Sequence, residues 1–289
     1  MRAKLTNPDK ILFPKSKISK KEIFEYYKKI APKMLPLIKD RPISLKRFPE
    51  GIDKEMFFQK KVLDYYPSWI KTVLVKREGK SPIKMHLIND LDSLLYIANQ
   101  AAEIHIWLSK KNRLNYPDRM IFDLDPPKND FSKVIEAIKD LTELLKKIKL
   151  PFFLMTTGSK GMHVIVPIKQ EYTFDEVRSF AKDISSILVE DFPKKYTIES
   201  RKNKRGNKVF IDYLRNGFAQ TAIAPYSIRA IENAPVAMPI EISGLSLDLN
   251  SQFFNVKNYF KNKENTLKNL DKRAVSLKKS IKCLIFGKK

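Results

Sequence analysis

The stretch RMIFDLDP (residues 119–126) decides how this chain is read. Met120, Ile121 and Phe122 form a short apolar run suited to a buried strand, and Pro126, which has no N–H for a ladder, ends it. Side chains alternate along a strand, so Asp123 and Asp125 emerge on one face at its end. Two carboxylates that close repel, and a hard cation held by oxygen ligands is one remedy. A solvated strand end would carry such a pair too. Glycosyltransferases also use Asp-x-Asp with a divalent ion, so the motif alone does not name a reaction.

Downstream of it, Asp130 stands where it can cap a helix over 131–148, whose apolar face is Val134, Ile135, Ile138, Leu141, Leu144, Leu145 and Ile148. FFLMTT (152–157) and MHVIVPI (162–168) read as strands around a Gly158–Gly161 turn. Thr173 and Glu176 form a capping box that opens a helix to about residue 190. KVFIDYL (208–214) is a further strand, with 195–200 an extra candidate before it. The order is β-α-β-β-α-β, as in ferredoxin-like and RRM-like sheets. In that arrangement the first and third strands are central neighbours and the last lies beside the first. Asp212, a charge in an apolar strand, would then face Asp123 and Asp125, with His163 on the other side. A buried ion pair with Arg205, Arg215 or Arg229 is the plainer account of Asp212. In TGSKGMH (157–163) the glycines let backbone amides approach a ligand, while Ser159 and Lys160 offer a hydroxyl and a point charge for phosphate. The spacing is not that of a Walker loop and no helix comes after it, so a simple hairpin turn is the alternative there.

Upstream, Ser19 and Glu22 make another capping box, with Ile23, Phe24, Tyr27 and Ile30 after it at helical spacing. Pro32 and Pro36 are expected to break up the helix beyond Ile30. Strands are expected near 43–48, 55–60, 72–76 and 83–88, then a helix over 91–101 and a strand around 104–108. The expected organisation is an N-terminal α+β lobe (1–110), a catalytic core (111–260) and a basic C-terminal tail (261–289).

Among the 289 residues, 56 Lys and Arg outweigh 32 Asp and Glu, for a net charge of +24. A polyanion is therefore the expected partner. Basic residues beside aromatics, as in LKRFPEG (45–51) and MFFQKK (56–61), suit a surface that stacks bases and grips phosphates. With 43% hydrophobic residues a wholly disordered chain is excluded. The lone cysteine, Cys283, excludes an internal disulfide framework, and with three histidines in all a structural Cys/His zinc site is excluded as well. No apolar stretch or leader points to a membrane or to secretion, so a soluble intracellular protein is expected.

DLDP (123–126), the Ser-Lys-Gly-x-His of 159–163, and KVFIDYLRN (208–216) with TAIAPYSIRA (221–230) after it resemble, in order and spacing, the three catalytic motifs of the archaeo-eukaryotic primase superfamily. More closely, the chain resembles the polymerase domain of bacterial DNA ligase D and its stand-alone prokaryotic relatives, which act in non-homologous end joining. The likeness runs from LTNPDKILFP (5–14) to about residue 260, with Thr157 where family members often have serine.

The resemblance implies an α+β fold: a primase-like core with an RRM-like sheet, plus the N-terminal lobe. It implies a nucleotidyltransferase that extends primers and fills gaps on a template, prefers ribonucleotides, and uses two divalent ions, Mn or Mg, held by Asp123, Asp125 and Asp212. Ser159, Lys160 and His163 would hold the incoming triphosphate, with Lys46, Arg205 and Arg229 as further nucleotide contacts and His105 near the sugar. Phe57 and Phe58 would pack against the template. Lys15 and Lys20 would receive the 5′-phosphate across a gap, and Arg215 would lie among the DNA contacts near the active site. The implied partners are double-stranded DNA with recessed or gapped ends and a 5′-phosphate, NTPs and dNTPs, a Ku protein and a separate DNA ligase. The implied location is the cytoplasm, at the nucleoid. A non-catalytic module that binds and bridges DNA ends is the alternative, and the intact aspartates weigh against it. Strand alternation further suggests that at most one of Phe57 and Phe58 is core and the other free.

Overall fold

The computed structural model describes residues 2–286 apart from 78, 247 and 263–265. The chain divides into two compact units, each discontinuous in sequence. The first comprises Met1–Leu114, Thr221–Met238 and Phe254–Lys263; the second comprises Asn115–Gln220, Pro239–Phe253 and Glu264–Lys289.

The first unit opens with β1 (Ile11–Phe13), β2 (Ile18–Ser19), α1 (Lys20–Ile38), β3 (Ile43–Arg47) and β4 (Phe57–Gln59). It continues with β5 (Thr72–Arg77), β6 (Lys80–His86), α2 (Leu91–Ala98) and β7 (Ala102–Trp107). The second unit supplies β8 (Arg119–Asp125), α3 (Phe131–Lys147), β9 (Phe153–Thr156), β10 (Met162–Pro167), α4 (Phe174–Asp191), β11 (Tyr196–Thr197) and β12 (Val209–Asp212). β13 (Thr221–Ile223) belongs to the first unit again, and β14 (Pro239–Ile240) and α5 (Lys278–Phe286) to the second. The α+β class expected from the sequence is the class observed.

In the second unit the strands lie in the order β11-β12-β8-β10-β9-β14. The first and third strands of the expected motif, β8 and β10, are neighbours, and β12 lies on the other side of β8, as the β-α-β-β-α-β pattern requires. β8 and β10 are buried along almost their whole length because a central strand is covered by what packs on the sheet. Both α3 and α4 pack against β8. α4 carries the expected capping box, with the Glu176 carboxylate accepting from Thr173 N at 2.7 Å and Thr173 Oγ1 from Glu176 N at 3.3 Å. Asp130 does stand at the cap of α3, but its carboxylate takes the Ser132 hydroxyl rather than a backbone N–H.

In the first unit the sheet order is β13-β7-β3-β6-β5, with β4 paired to β3 off that path. The Ser19–Glu22 capping box starts α1, yet the helix does not stop at the prolines: it runs through Pro32 and Pro36 to Ile38. Both rings lie at exposed positions, while Met34, Leu37 and Ile38 are buried and keep the inner face attached to the core. Segment-by-segment boundaries at 110 and 260 do not describe these units. The reason is non-local pairing: Thr221, Ala222 and Ile223 pair antiparallel with Trp107, Ile106 and His105 and so draw a late segment into the first unit.

Candidate active site

Register places the acids. In the second unit Asp212 of β12 is the cross-strand partner of Asp123 on β8, and His163 of β10 is its partner on the other side. One row across three adjacent strands therefore carries Asp212, Asp123 and His163, with Asp125 two residues further along β8. His163 Nε2 lies 3.5 Å from Asp123 Oδ1. Arg215 Nε bridges the two acids, 3.2 Å from Asp123 Oδ2 and 3.3 Å from Asp212 Oδ2. The short helical turn Leu214–Asn216 that carries Arg215 is fixed at both ends. Asp212 accepts from Leu214 N at 2.9 Å, and the buried Asn216 amide is clamped to β8 through Ile121 N at 2.8 Å and Ile121 O at 2.7 Å. Sequence reasoning does not find Asn216, because nothing local distinguishes it from a loop asparagine.

Electrostatics follows from this crowding. Burial pushes Asp125 upward and the Asp123 charge pushes it further, to about 6, against the pull of Arg215 and Arg205. Burial also raises Asp212, opposed by Arg215 and reinforced by Asp123. Asp123 meets the same burial, but His163 and Arg215 outweigh it and hold its carboxyl below the usual range. The guanidinium of Arg215 is held more firmly protonated by Asp123 and Asp212 than its own burial would allow. Among the described residues no three carboxylate or imidazole groups already form a closed ligand cage, since Arg215 lies between two of the acids. The donor set nevertheless suits a hard divalent cation: three carboxylates converge with little positive charge, and burial together with the Asp123 charge makes two of them resist ionisation. His163 Nδ1 is buried with no hydrogen-bond partner, a further polar atom without an assigned contact.

The loop between β9 and β10 is pressed onto this strand end. A Cβ at Gly161 would stand 1.9 Å from Leu124 O, so only glycine fits. Gly158 takes φ +67°, which also favours glycine. Gly161 O accepts from Thr157 N (3.0 Å), Thr157 Oγ1 (3.0 Å) and Ser251 Oγ (2.8 Å), so the Thr157 hydroxyl serves here as a serine hydroxyl would. Gln252 Nε2 donates to Ser159 O at 2.9 Å. Lys160 projects into solvent from the loop. The guanidinium of Arg205 stacks 3.6 Å from the centre of the Phe210 ring and donates to Glu199 O and Ser200 O at 3.0 and 2.8 Å. It acts on Asp125 and Asp212 through its charge rather than by an ion pair.

The remaining expected residues lie in the first unit. Lys46, His105 and Arg229 meet at Glu103, a carboxylate absent from the expected set. Glu103 is 1% exposed; its oxygens lie 3.7 Å from Lys46 Nζ, 3.1 Å from His105 Nε2 and 3.4 Å from Arg229 Nε, and accept from Ala230 N at 2.8 Å. A charge inside the apolar strand AEIHIW is the same signal that picks out Asp212, and it is enough to find this residue. Phe57 and Phe58 are 41% and 68% exposed. Alternation allows at most one core member in this pair, and neither is core: β4 pairs with β3 and its buried member is Gln59. The Arg47 guanidinium lies 5.2 Å over Phe57, and the Phe58 ring lies 6.4 Å from His105. Lys15 is exposed in the turn between β1 and β2, whereas Lys20 is buried and donates to Thr6 Oγ1 at 3.1 Å.

A β-α-β-β-α-β sheet with Asp-x-Asp on its central strand and a third aspartate directly across defines a primase-like nucleotidyltransferase. The particular family comes from sequence: the chain belongs to the family described as LigD, primase-polymerase domain, which it matches over residues 19–270. It is 34% identical over 242 residues to the multifunctional non-homologous end joining protein LigD of Mycolicibacterium smegmatis, covering 82% of this chain and 32% of that protein. It is 32% identical over 240 residues to the bifunctional LigD of Bacillus subtilis, covering 81% of this chain and 38% of that protein. The chain thus spans about a third of the length of the curated relatives it matches. Among solved structures it is similar to the polymerase domain of Mycobacterium tuberculosis ligase D in complex with DNA, with a TM-score of 0.88 and 31% identity, covering 94% of this chain and 99% of that one. No described helix is long and apolar enough to cross a membrane.

Proposed function

We propose that this chain is a template-directed polymerase that extends primers and fills gaps at DNA ends in non-homologous end joining, with a preference for ribonucleotides. The observation that carries the proposal is the pairing of Asp212 with Asp123 beside Asp125, against a loop that glycine alone can bring to that strand end. Asp123, Asp125 and Asp212 would hold the two Mn or Mg ions. Such ions, when bound, make a primer hydroxyl a better nucleophile and offset charge on the phosphates.

The chain's own groups do the rest. Lys160, Ser159 and the backbone of the Gly158–Gly161 turn offer a cation, a hydroxyl and amides to a triphosphate. His163 stays beside Asp123, and Arg205 is held rigid over Phe210 so that its charge stays near the acids. Lys46, Arg229 and His105 supply further nucleotide contacts. Phe57 and Phe58 offer exposed rings to template bases. Lys15 would meet a 5′-phosphate, with Lys20 bracing that segment through Thr6. Arg215 joins the DNA contacts near the acids. The partners in this reading are gapped or recessed DNA bearing a 5′-phosphate, NTPs and dNTPs, a Ku protein and a separate ligase, met in the cytoplasm at the nucleoid. The charge of +24 supports a nucleic-acid partner.

The test is a labelled primer–template incubated with Mn or Mg and each nucleotide set. Wild type should extend, with ribonucleotides used better. Asp123→Ala and Asp212→Ala should abolish extension while DNA affinity, which rests on phosphate contacts, stays near wild type. Extension by either variant at the wild-type rate would remove the metal assignment. DNA binding without extension by wild type would favour the end-bridging module.

A further inference from the structure

Glu103 is the most tightly enclosed carboxylate of the first unit, and no catalytic or binding role has been given to it. It sits on β7, directly across from Lys46 on β3. Three basic side chains from three separate segments converge on its two oxygens. Lys46 comes from β3, His105 from two residues along β7, and Arg229 from the stretch after β13. The Ala230 amide next to Arg229 donates to the same carboxylate at 2.8 Å, so the segment carrying Arg229 is tied by backbone as well as by charge. The basic side chains themselves remain partly open, with 27% of Lys46, 15% of His105 and 17% of Arg229 accessible.

One buried acid thus gathers two permanent cations and an imidazole, each of which keeps part of its surface accessible. We infer that Glu103 is a positioning residue: it fixes Lys46, His105 and Arg229 at set separations so that together they receive the phosphates of a nucleotide. The inference rests on the polymerase reading above, and names the group that builds its nucleotide subsite. Burial alone would raise the Glu103 carboxyl, yet His105, Arg229 and the Ala230 amide pull it down to about 2. It therefore stays charged at any working pH. Without it, Lys46 and Arg229 would repel each other across the vacated centre, and His105 would lose the acceptor that orients its ring.

Two effects oppose each other when Glu103 is neutralised. Removing a negative charge makes the site more attractive to an anion, while releasing the cations costs the fixed geometry. Partly open cations are screened by water, and a misplacement of about 1 Å can cost about 100-fold, so geometry should win. Glu103→Gln keeps the size of the side chain and an oxygen for the Ala230 amide, but not the charge.

The experiment measures KM and kcat for nucleotide in primer extension, and calorimetric binding of inorganic tripolyphosphate, for wild type, Glu103→Gln and Glu103→Asp. For Glu103→Gln, KM should rise about tenfold or more with a smaller fall in kcat, and tripolyphosphate should bind about tenfold more weakly. Glu103→Asp should recover part of the loss. Lys46→Met should cost less in the Glu103→Gln background than in wild type, because the two act as one unit. Tighter tripolyphosphate binding by Glu103→Gln, or a lower Tm with KM within twofold of wild type, would overturn the inference. Should Glu103→Gln fail to fold, the retained charge of Glu103→Asp gives the same split between KM and Tm. If wild type does not extend primers at all, the polymerase reading falls while the tripolyphosphate arm still decides the role of Glu103.

Discussion

Gly161→Ala asks whether the pressed loop makes the site. The added Cβ would stand 1.9 Å from Leu124 O, 2.9 Å from Leu124 C and 3.3 Å from Asp125 Oδ1. The first two are backbone atoms of a central strand, so no side chain can rotate out of the way. To restore ordinary contact the loop and β8 must part by about 1.5 Å. That strains the pairing of Met162 with Leu124 and the three hydrogen bonds received by Gly161 O. At about 1 kcal/mol net for each bond and about 1–3 kcal/mol for overpacking, the stability loss is about 4–6 kcal/mol. Scanning calorimetry should record a Tm lower by roughly 10 °C. The loop also carries Ser159 and Lys160 and leads into His163, so a shift of this size should cut kcat/KM for primer extension by about 100-fold. Gly79→Ala is the control: its φ is +61° but nothing lies within 4 Å of the added Cβ. It should lose about 1–2 kcal/mol to the left-handed conformation and keep wild-type extension. Gly161→Ala with Tm within about 2 °C of wild type, less than 1 kcal/mol, and with unchanged kcat/KM would refute the close-approach argument.

The exposed rings and the buried glutamate give two further tests. Phe58→Ala should leave Tm nearly unchanged, since the ring is 68% exposed, and weaken primer–template binding by roughly 1–3 kcal/mol in fluorescence anisotropy. Phe57→Ala should do the same and also lose about 0.5–1 kcal/mol of stability from its Arg47 contact; a large Tm drop in either would show a buried ring after all. The Glu103 carboxyl is depressed from 4.5 to about 2, so its stabilisation is fully present above pH 4.5 and is lost as pH falls towards 2. Glu103→Gln should therefore flatten the acid limb of the stability–pH curve in that window, and an unchanged limb would show that the carboxylate is not the group being titrated.

Much of the second unit is legible in the sequence because local signals and global pattern agree there. The run MIF before Asp123, the capping box at Thr173 and the two strands around Gly158 and Gly161 all point to one strand order; that order puts β12 beside β8, and the register sets Asp212 across from Asp123. The first unit is less legible, for physical reasons that particular residues show. Pro32 and Pro36 cost α1 backbone bonds, but burial of Met34, Leu37 and Ile38 offsets a loss that local rules treat as decisive. Thr221–Ile223 is three residues long, and its pairing with β7 leaves no periodic trace from which a boundary could be drawn. Phe57 and Phe58 obey strand alternation, but alternation says which face a side chain takes, not whether anything covers that face. Glu103 is legible too, but only when one buried acid is weighed against the basic residues that the fold gathers around it.

That ratio of acid to base explains why two carboxylates in one chain move in opposite directions. Around Glu103 burial is outweighed by His105, Arg229 and the Ala230 amide, and the carboxyl falls to about 2. Around Asp125 three acids share Arg215, with Arg205 at longer range, and its carboxyl rises to about 6 from a usual 3.8. The first centre gathers basic groups around one acid, and the second gathers acids around one guanidinium and suits a cation. The Asp125 side of this argument has a sharp test, because the sign is opposite to that of a salt-bridged acid. The folded protein keeps a proton on Asp125 that the unfolded chain has already released, so this group's contribution to stability falls as pH rises from 3.8 to about 6 and is flat above. With chelator present, Asp125→Asn should be more stable than wild type at pH 8 by roughly 1–3 kcal/mol, with the advantage gone near pH 4. Added Mn should raise the Tm of wild type and much less that of the variant. An Asp125→Asn protein that is equally shifted at pH 4 and pH 8 would show that this carboxyl is not raised by its burial beside Asp123, and one that gains as much from Mn as wild type would show that Asp125 does not hold the ion.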